Sequence, residues 1–284
     1  MKKDKTHIHW YPGHIAKAER KLKEQLSLVD AVIEVIDARL PLSSRYDNIT
    51  GLLNQKPRFL LVNKSDLVDK NELDRFVEYL KNETQTAVIP TTSKNSKDLN
   101  IIVKEALKLS EPRIQALMAK GLLRRPVRIM VVGLPNVGKS SIINKLTRSS
   151  KTKTGAKAGV TRQQQWVRIN PQLELLDTPG IIPMKQEDQN RATKLAFVNS
   201  VGNNAYSNDT VAKELLNILN DKQTQIFKNY YGIEDDKELS VENIAFSRKW
   251  LKQQQEPDIE RTSGYILKDF REGKIGKFIL DTIE

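Results

Sequence analysis

The stretch Gly133-Leu134-Pro135-Asn136-Val137-Gly138-Lys139-Ser140 reads G-x-x-x-x-G-K-S. These residue types suit the gripping of phosphate. Glycines let backbone N–H groups turn inward around phosphate oxygens, which a chain bearing Cβ atoms does less easily. Lys139 has the reach for β- and γ-phosphates, and the Ser140 hydroxyl suits Mg²⁺. Asn136, Val137, Gly138, Lys139, Ser140 and Ser141 are therefore candidate nucleotide-binding residues. The bland alternative is a glycine-bearing turn between a core strand and a helix. Alone, the motif points to a nucleoside triphosphate and leaves the base open.

Asn63-Lys64-Ser65-Asp66 addresses the base. A carboxylate at Asp66 can accept both N1–H and the exocyclic amine of guanine, whereas adenine presents neither donor there. A site of that kind discriminates by about 10⁴–10⁵. Asn63 would tie neighbouring loops together, and the Lys64 stem would lie over the base plane. The alternative is a strand-to-helix turn with Asp66 as an N-cap. Thr91-Thr92-Ser93-Lys94 has the position of a loop completing the pocket, with a backbone N–H near Ser93 donating to guanine O6. Gly159-Val160-Thr161 and Asp177-Thr178-Pro179-Gly180 supply two switch candidates. Thr161 can bind Mg²⁺ by its hydroxyl and the γ-phosphate by its N–H, ordering its loop only when the third phosphate is present. Asp177 would hold Mg²⁺ through a water, and the Gly180 N–H would sense the γ-phosphate.

These groups work only if strands and helices bring them together. Apolar runs at 31–36, 58–62, 87–90 and 127–132 read as buried strands, with further strands at 165–169 and 173–176. The phosphate motif follows one strand and opens a helix, expected over Lys139–Leu146, whose positive dipole end would face the anion. Other helices are expected at 14–27, 45–54, 71–81 and 96–109, with a connecting segment, 110–125, carrying a short helix at 113–120. Beyond Met184 the chain reads as helices: 188–200, 209–219, 222–231, 240–252 and 258–272, then a tail from Gly276. Asp258 and Gly273 would cap the fifth of these. The expected organisation is a nucleotide-binding domain over 1–185, with an arm at 1–13, and a helical domain over 186–284.

Composition limits the partners. The 284 residues carry 29% charged and 38% hydrophobic side chains, an ordinary globular balance, and no cysteine. Disulfides and thiolate chemistry are excluded, which suits a cytoplasmic location. No apolar run is long enough to span a bilayer, so no membrane role is expected. The N-terminal stretch lacks the apolar core of a signal peptide. The net charge of +12 suggests a polyanionic partner, with nucleic acid favoured over a membrane surface. From Lys145 through Arg162 there are six basic residues and no acidic one. Arg248, Lys249, Lys252, Lys268, Arg271, Lys274 and Lys277 offer a second basic surface, with Trp250 nearby; solvated helix faces are the alternative.

The order of the motifs is unusual. An ordinary Ras-like domain runs phosphate loop, switch threonine, D-x-x-G, N-K-x-D, guanine loop. Here the last two come first, so the chain resembles the circularly permuted GTPases. The expected fold is α/β: a circularly permuted Ras-like P-loop GTPase domain followed by an all-helical C-terminal domain. Nearby termini permit such a permutation, and 110–125 would be the join. Within that group the chain resembles the YlqF family, also called ribosome biogenesis GTPase A. The marks are Trp10-Tyr11-Pro12-Gly13-His14-Ile15-Ala16-Lys17-Ala18, Asp37-Ala38-Arg39-Leu40-Pro41, the five motifs in permuted order, and the segment Leu267 to Gly276. Tyr11 stands where the family usually carries Phe.

The resemblance implies a GTPase that binds a late precursor of the large ribosomal subunit and promotes its maturation. The ribosomal particle would stimulate hydrolysis, with partners among rRNA and ribosomal proteins. A nucleotide-gated RNA-binding factor, in which hydrolysis is incidental, is the alternative. Ile181 occupies the place of the usual catalytic glutamine and cannot hydrogen-bond water. The resemblance points instead to His14, whose imidazole can position a water or relay its proton; a metal site with His7 and His9 is the competing idea. Asn136 matches potassium-activated GTPases, whose asparagine carbonyl helps hold K⁺ beside the phosphates. Mg²⁺ and K⁺ are thus the expected cofactors. A guanine site with an exposed ribose 3′ side would also admit guanosine tetraphosphate as an inhibitor.

Overall fold

A computed structural model describes residues 20–46, 49–53, 56–92, 98–149, 166–176, 180–181, 188–201 and 206–283. A helix over 20–26 (α1) precedes β1 (Ala31–Asp37), α2 (Ile49–Leu53), β2 (Arg58–Asn63), α3 (Lys70–Thr84), β3 (Val88–Pro90) and α4 (Asp98–Ala119). Next come β4 (Val127–Gly133), α5 (Lys139–Ser149), β5 (Trp166–Asn170), β6 (Leu173–Leu176) and β7 (Gly180–Ile181). Five helices complete the described chain: α6 (Gln189–Phe197), α7 (Asn208–Asn217), α8 (Asp221–Tyr231), α9 (Val241–Ser247) and α10 (Ile259–Glu272).

The strands form one sheet in the order β3-β2-β1-β4-β6-β5, with β7 beside β4. All pairs are parallel except β5 with β6, which are joined by a tight turn. Parallel strands covered on both faces read as continuous apolar runs, and every residue of β1 is buried. Counted from β4 instead of β1, with the two-residue β7 set aside, the order becomes 2-3-1-4-5-6, the Ras-like arrangement. The chain thus makes a circularly permuted Ras-like sheet, with its phosphate-motif strand at the centre.

The join is more regular than expected. Instead of a helix ending near 109 and a separate one at 113–120, α4 runs unbroken through Pro112. Proline removes one helical hydrogen bond, but the buried face Ala106, Ser110 and Ile114 holds the helix together on both sides. Asp30, fully buried ahead of β1, then fastens the join. It accepts from Arg113 Nε (2.8 Å), Arg125 Nη1 (2.7 Å) and the Arg128 backbone N–H (2.9 Å). Burial alone would raise its pKa; Arg125, the Arg128 N–H and Arg113 outweigh it and hold the carboxyl below the ordinary value.

Three other expectations need correction. The helix expected over 240–252 ends at Ser247, because Lys249 takes φ 55 and the Trp250 N–H turns back to the Ala245 carbonyl. The helix expected over 45–54 is described only as Ile49–Leu53. The tail after Gly273 is not helical. It returns to the end of β1, with the Leu280 N–H on the Arg39 carbonyl and Ile279 in one buried cluster with Ile36 of β1 and Val62 of β2. Asp281 fixes it by accepting from the Leu42 and Ser43 N–H groups, both at 2.8 Å. Gly273, closing α10, lies so near that a Cβ there would stand 2.7 Å from Leu67. One buried apolar cluster includes both Val131 of the sheet and Leu267 of α10.

Candidate functional site

The loops after β1, β2, β3 and β4 open at the carboxyl end of the sheet, where ligands bind in doubly wound folds. β4 delivers the phosphate motif and α5 starts at Lys139, within it. Ser140 and Ser141 are exposed on the first turn of α5, while Val137 is fully buried beneath. β7 places Gly180 opposite Val132 and Ile181 opposite Gly133. The D-x-x-G glycine thus borders the phosphate loop, as the sheet register demands.

The base motif is bolted to that loop. Asn63, at the end of β2, donates Nδ2 to the Val137 carbonyl at 2.8 Å. Lys64 Nζ donates to the Asn136 carbonyl at 2.8 Å. Lys64 itself adopts φ 63, the left-handed region. Gly138 explains its own identity. Its φ is +102, and a Cβ would stand 2.1 Å from Asn63 Nδ2.

Asp66 lies on a single 3₁₀ turn, Ser65–Leu67, and accepts from Thr92 Oγ1 at 2.8 Å. It is not the helix cap. Asp69 caps α3, accepting from the Asn71 and Glu72 N–H groups. Thr91 Oγ1 and the Thr92 N–H both bond Asp98 Oδ2, and Lys145 Nζ donates to the Thr92 carbonyl at 3.2 Å. Asp66, Asp98 and Lys145 therefore brace the guanine-loop segment from three elements.

Lys139 is buried and donates Nζ to the Leu134 carbonyl of its own loop at 2.5 Å. Burial pushes its pKa down to about 8. An ammonium held this way gains from an anion placed in the loop, since the anion offsets the desolvation. Asn136 is exposed, and its Nδ2 donates to the Asn199 carbonyl at 2.5 Å. That contact uses the nitrogen of the amide; a cation would need the carbonyl end.

The side-chain chemistry fits a Mg²⁺–nucleotide only in part among these residues. The Ser140 hydroxyl stands at the right end of α5, and no group of three or more acidic or histidine residues placed to hold a metal ion is found among the described residues. His14, Ser93, Thr161 and Asp177 lie outside the described residues. So do the Trp10–Ala18 motif and most of the basic run 145–162.

Sequence reading missed one participant, Asp37. It is fully buried at the end of β1, with Arg39 Nη2 at 2.8 Å and Lys64 Nζ at 2.7 Å on its Oδ2. Burial raises its pKa, but Arg39 and Lys64 outweigh this and hold the carboxyl well below the usual range. The available signal was an acid and an arginine at a strand end next in the sheet to N-K-x-D.

Among known proteins, a family model described as 50S ribosome-binding GTPase matches residues 128–241. Ribosome biogenesis GTPase A of Bacillus cereus is 36% identical over 280 residues, covering 98% of this chain and 94% of that one. A GDP-bound structure of TM YlqF superposes with a TM-score of 0.66 at 28% identity, covering 92% of this chain and 98% of that one. A GNP-bound YlqF from Thermotoga maritima gives 0.60 at 28% identity, covering 94% and 100%.

Proposed function

This chain belongs to the ribosome biogenesis GTPase A family, a ribosome-associated group that hydrolyses GTP with Mg²⁺, and from that premise we propose that it matures the large ribosomal subunit. It binds a late precursor of that subunit, and the particle stimulates its hydrolysis. The similarity to ribosome biogenesis GTPase A supports the particle, and the observation that carries the nucleotide site is the bonding of Asn63 and Lys64 to the carbonyls of Val137 and Asn136. Base motif and phosphate loop form one rigid cradle, so a nucleotide there is read at both ends.

In this proposal 1–185 is the catalytic unit and 186–284 the RNA-binding unit. Asn63, Lys64, Asp66 and Ser93 take the guanine. Asn136 to Ser141 take the phosphates, using backbone N–H groups and the α5 dipole. Thr161 and the Gly180 N–H report the γ-phosphate. Ser140, Thr161 and Asp177, the last through a water, would hold Mg²⁺, whose charge when bound would offset that developing on the β- and γ-phosphates. His14 aligns the attacking water, because the alkyl side chain at Ile181 has no hydrogen-bonding group. Asn136 supplies a carbonyl to K⁺.

The decisive experiment is the GTPase rate with and without purified large ribosomal subunits, in K⁺ and in Na⁺. The expectation is stimulation of roughly tenfold or more, about 1.4 kcal/mol off the barrier, greater in K⁺. A rate unmoved by subunits would sink the particle-stimulated reading. If His14→Ala removes stimulated turnover yet subunits mature normally, the chain acts as a nucleotide-gated RNA-binding factor. Guanosine tetraphosphate should compete with labelled GDP; failure to do so removes it as an inhibitor. Particle binding should also weaken steeply with salt, because phosphate contacts release counterions.

A further inference from the structure

Asn136 is held at both ends. Its backbone carbonyl takes Lys64 Nζ, and its side chain gives Nδ2 to the Asn199 carbonyl, which follows α6. Each contact leads outward, and the two paths meet. Lys64 Nζ also donates to Asp37 Oδ2 at 2.7 Å. Asp37 receives Arg39 on both oxygens, Nε on Oδ1 at 2.9 Å and Nη2 on Oδ2 at 2.8 Å. The remaining Arg39 nitrogen, Nη1, donates to the Arg271 carbonyl of α10 at 3.2 Å, and the guanidinium lies 5.6 Å from the Phe270 ring centre. Arg271 then donates Nη2 to the Ala196 carbonyl (2.8 Å) and to the Tyr206 hydroxyl (3.0 Å). The Tyr206 hydroxyl reaches Asn199 Oδ1 at 3.4 Å, and the Asn199 carbonyl receives Asn136. The ring is closed.

Charge explains why this ring matters for the nucleotide. Asp37 and Arg39 are both buried and already satisfy one another by a bidentate pair. A pair kept only for stability needs no second cation. Yet Lys64 is also drawn onto Asp37 Oδ2, from a left-handed backbone position in the base motif. The ammonium is thereby pinned between Asp37 and the Asn136 carbonyl. Satisfied buried networks of this kind rigidify the groups they join.

We propose that Asp37 and Arg39 are positioning residues of the nucleotide site, fixing Lys64 against the base and Asn136 in the phosphate loop, and coupling both to the seating of α10. This rests on reading the cradle as a guanine-nucleotide site. It follows that a partner pulling on the C-terminal helices loosens the bound nucleotide, and that nucleotide tightens those helices, since coupling is reciprocal.

The test uses the full chain and a fluorescent GDP, by equilibrium titration and stopped-flow dissociation. The variants are Asp37→Asn, Lys64→Met, the two combined, and Arg271→Gln, with ADP as competitor. Asp37→Asn and Lys64→Met should each weaken GDP about tenfold, and the combination no further, because both act through one ammonium. Arg271→Gln, at the far side of the ring, should speed GDP release about threefold to fivefold. Effects that multiply in the double variant, or an unchanged release rate in Arg271→Gln, would overturn the proposal. If Asp37→Asn gives no cooperative melt with GDP, the Arg271→Gln release rate decides alone. Failure of the underlying site reading is separate: the unaltered chain would then bind ADP as tightly as GDP.

Discussion

The amide nitrogen of Asn63 occupies the space that a Cβ on Gly138 would need, 2.1 Å away. Two residues far apart in sequence thus constrain each other's identity. The contact also fixes the distance between the base and phosphate ends of the cradle.

Gly138→Ala should therefore abolish nucleotide binding while far-UV circular dichroism stays native, since φ +102 and the Asn63 contact both oppose a side chain. Asn63→Ala removes one buried hydrogen bond and leaves the Val137 carbonyl without it. A loss of about 1–3 kcal/mol is expected, read as a rise in the GDP dissociation constant. Unchanged GDP affinity in both variants would contradict the shared cradle.

Lys139 gives a pH signature. Its pKa in the folded chain is pushed down to about 8 by burial. Above that pH the folded chain binds fewer protons than the unfolded one, so intrinsic stability rises with pH until the ordinary lysine value is passed. Below it, the cost of the buried charge is fully present. A bound phosphate restores the proton, so GDP affinity should fall as pH climbs beyond 8. Between about pH 7 and pH 8.8 the weakening should be about sevenfold. Calorimetry in buffers of different ionisation heat should register proton uptake at the higher pH.

Asp30 is expected to carry the join. Asp30→Ala takes the shared acceptor from two partly exposed arginines and from the Arg128 N–H, and should cost about 1–3 kcal/mol in urea unfolding. Arg113→Ala, at a half-exposed partner, should cost nearer 1 kcal/mol. The Asp30 pKa is lowered on folding. Its stabilisation is thus present above the unfolded carboxylate value near 4 and lost as pH falls through the folded one. The variant should show a shallower acid limb than the parent chain.

Thr92→Val should relax base selection. It removes the hydroxyl that holds Asp66 Oδ1 at 2.8 Å. The expected effect is a several-fold weaker GDP affinity, equivalent to about 1 kcal/mol. Asp66→Asn should be far more severe, because an amide nitrogen would face the donors of guanine. Competition titrations with GDP, ADP and inosine diphosphate distinguish the two.

Local sequence carried much of this molecule. Gly133 to Ser140 and Asn63 to Asp66 sit at strand ends because apolar runs precede them, and runs of that kind pair as buried parallel strands. The permuted order could be read directly, since it is a property of the chain. The α4 error had a local cause. Proline usually ends a helix, and only the packed face of Ala106, Ser110 and Ile114 overrides it. The length of α9 failed similarly, at a turn set by Lys249 and Trp250.

What sequence could not supply was partnership between distant charges. Arg39 donates to the carbonyl of Arg271, 232 positions away, and Asp37 shares one oxygen between Arg39 and Lys64. No periodicity or spacing encodes such a match. A buried carboxylate must find cations, but folding decides which ones by bringing strand ends, the phosphate loop and α10 to one place. The residue types determined that phosphate and guanine would be gripped; the tertiary structure determined that the grip is shared with the C-terminal helices.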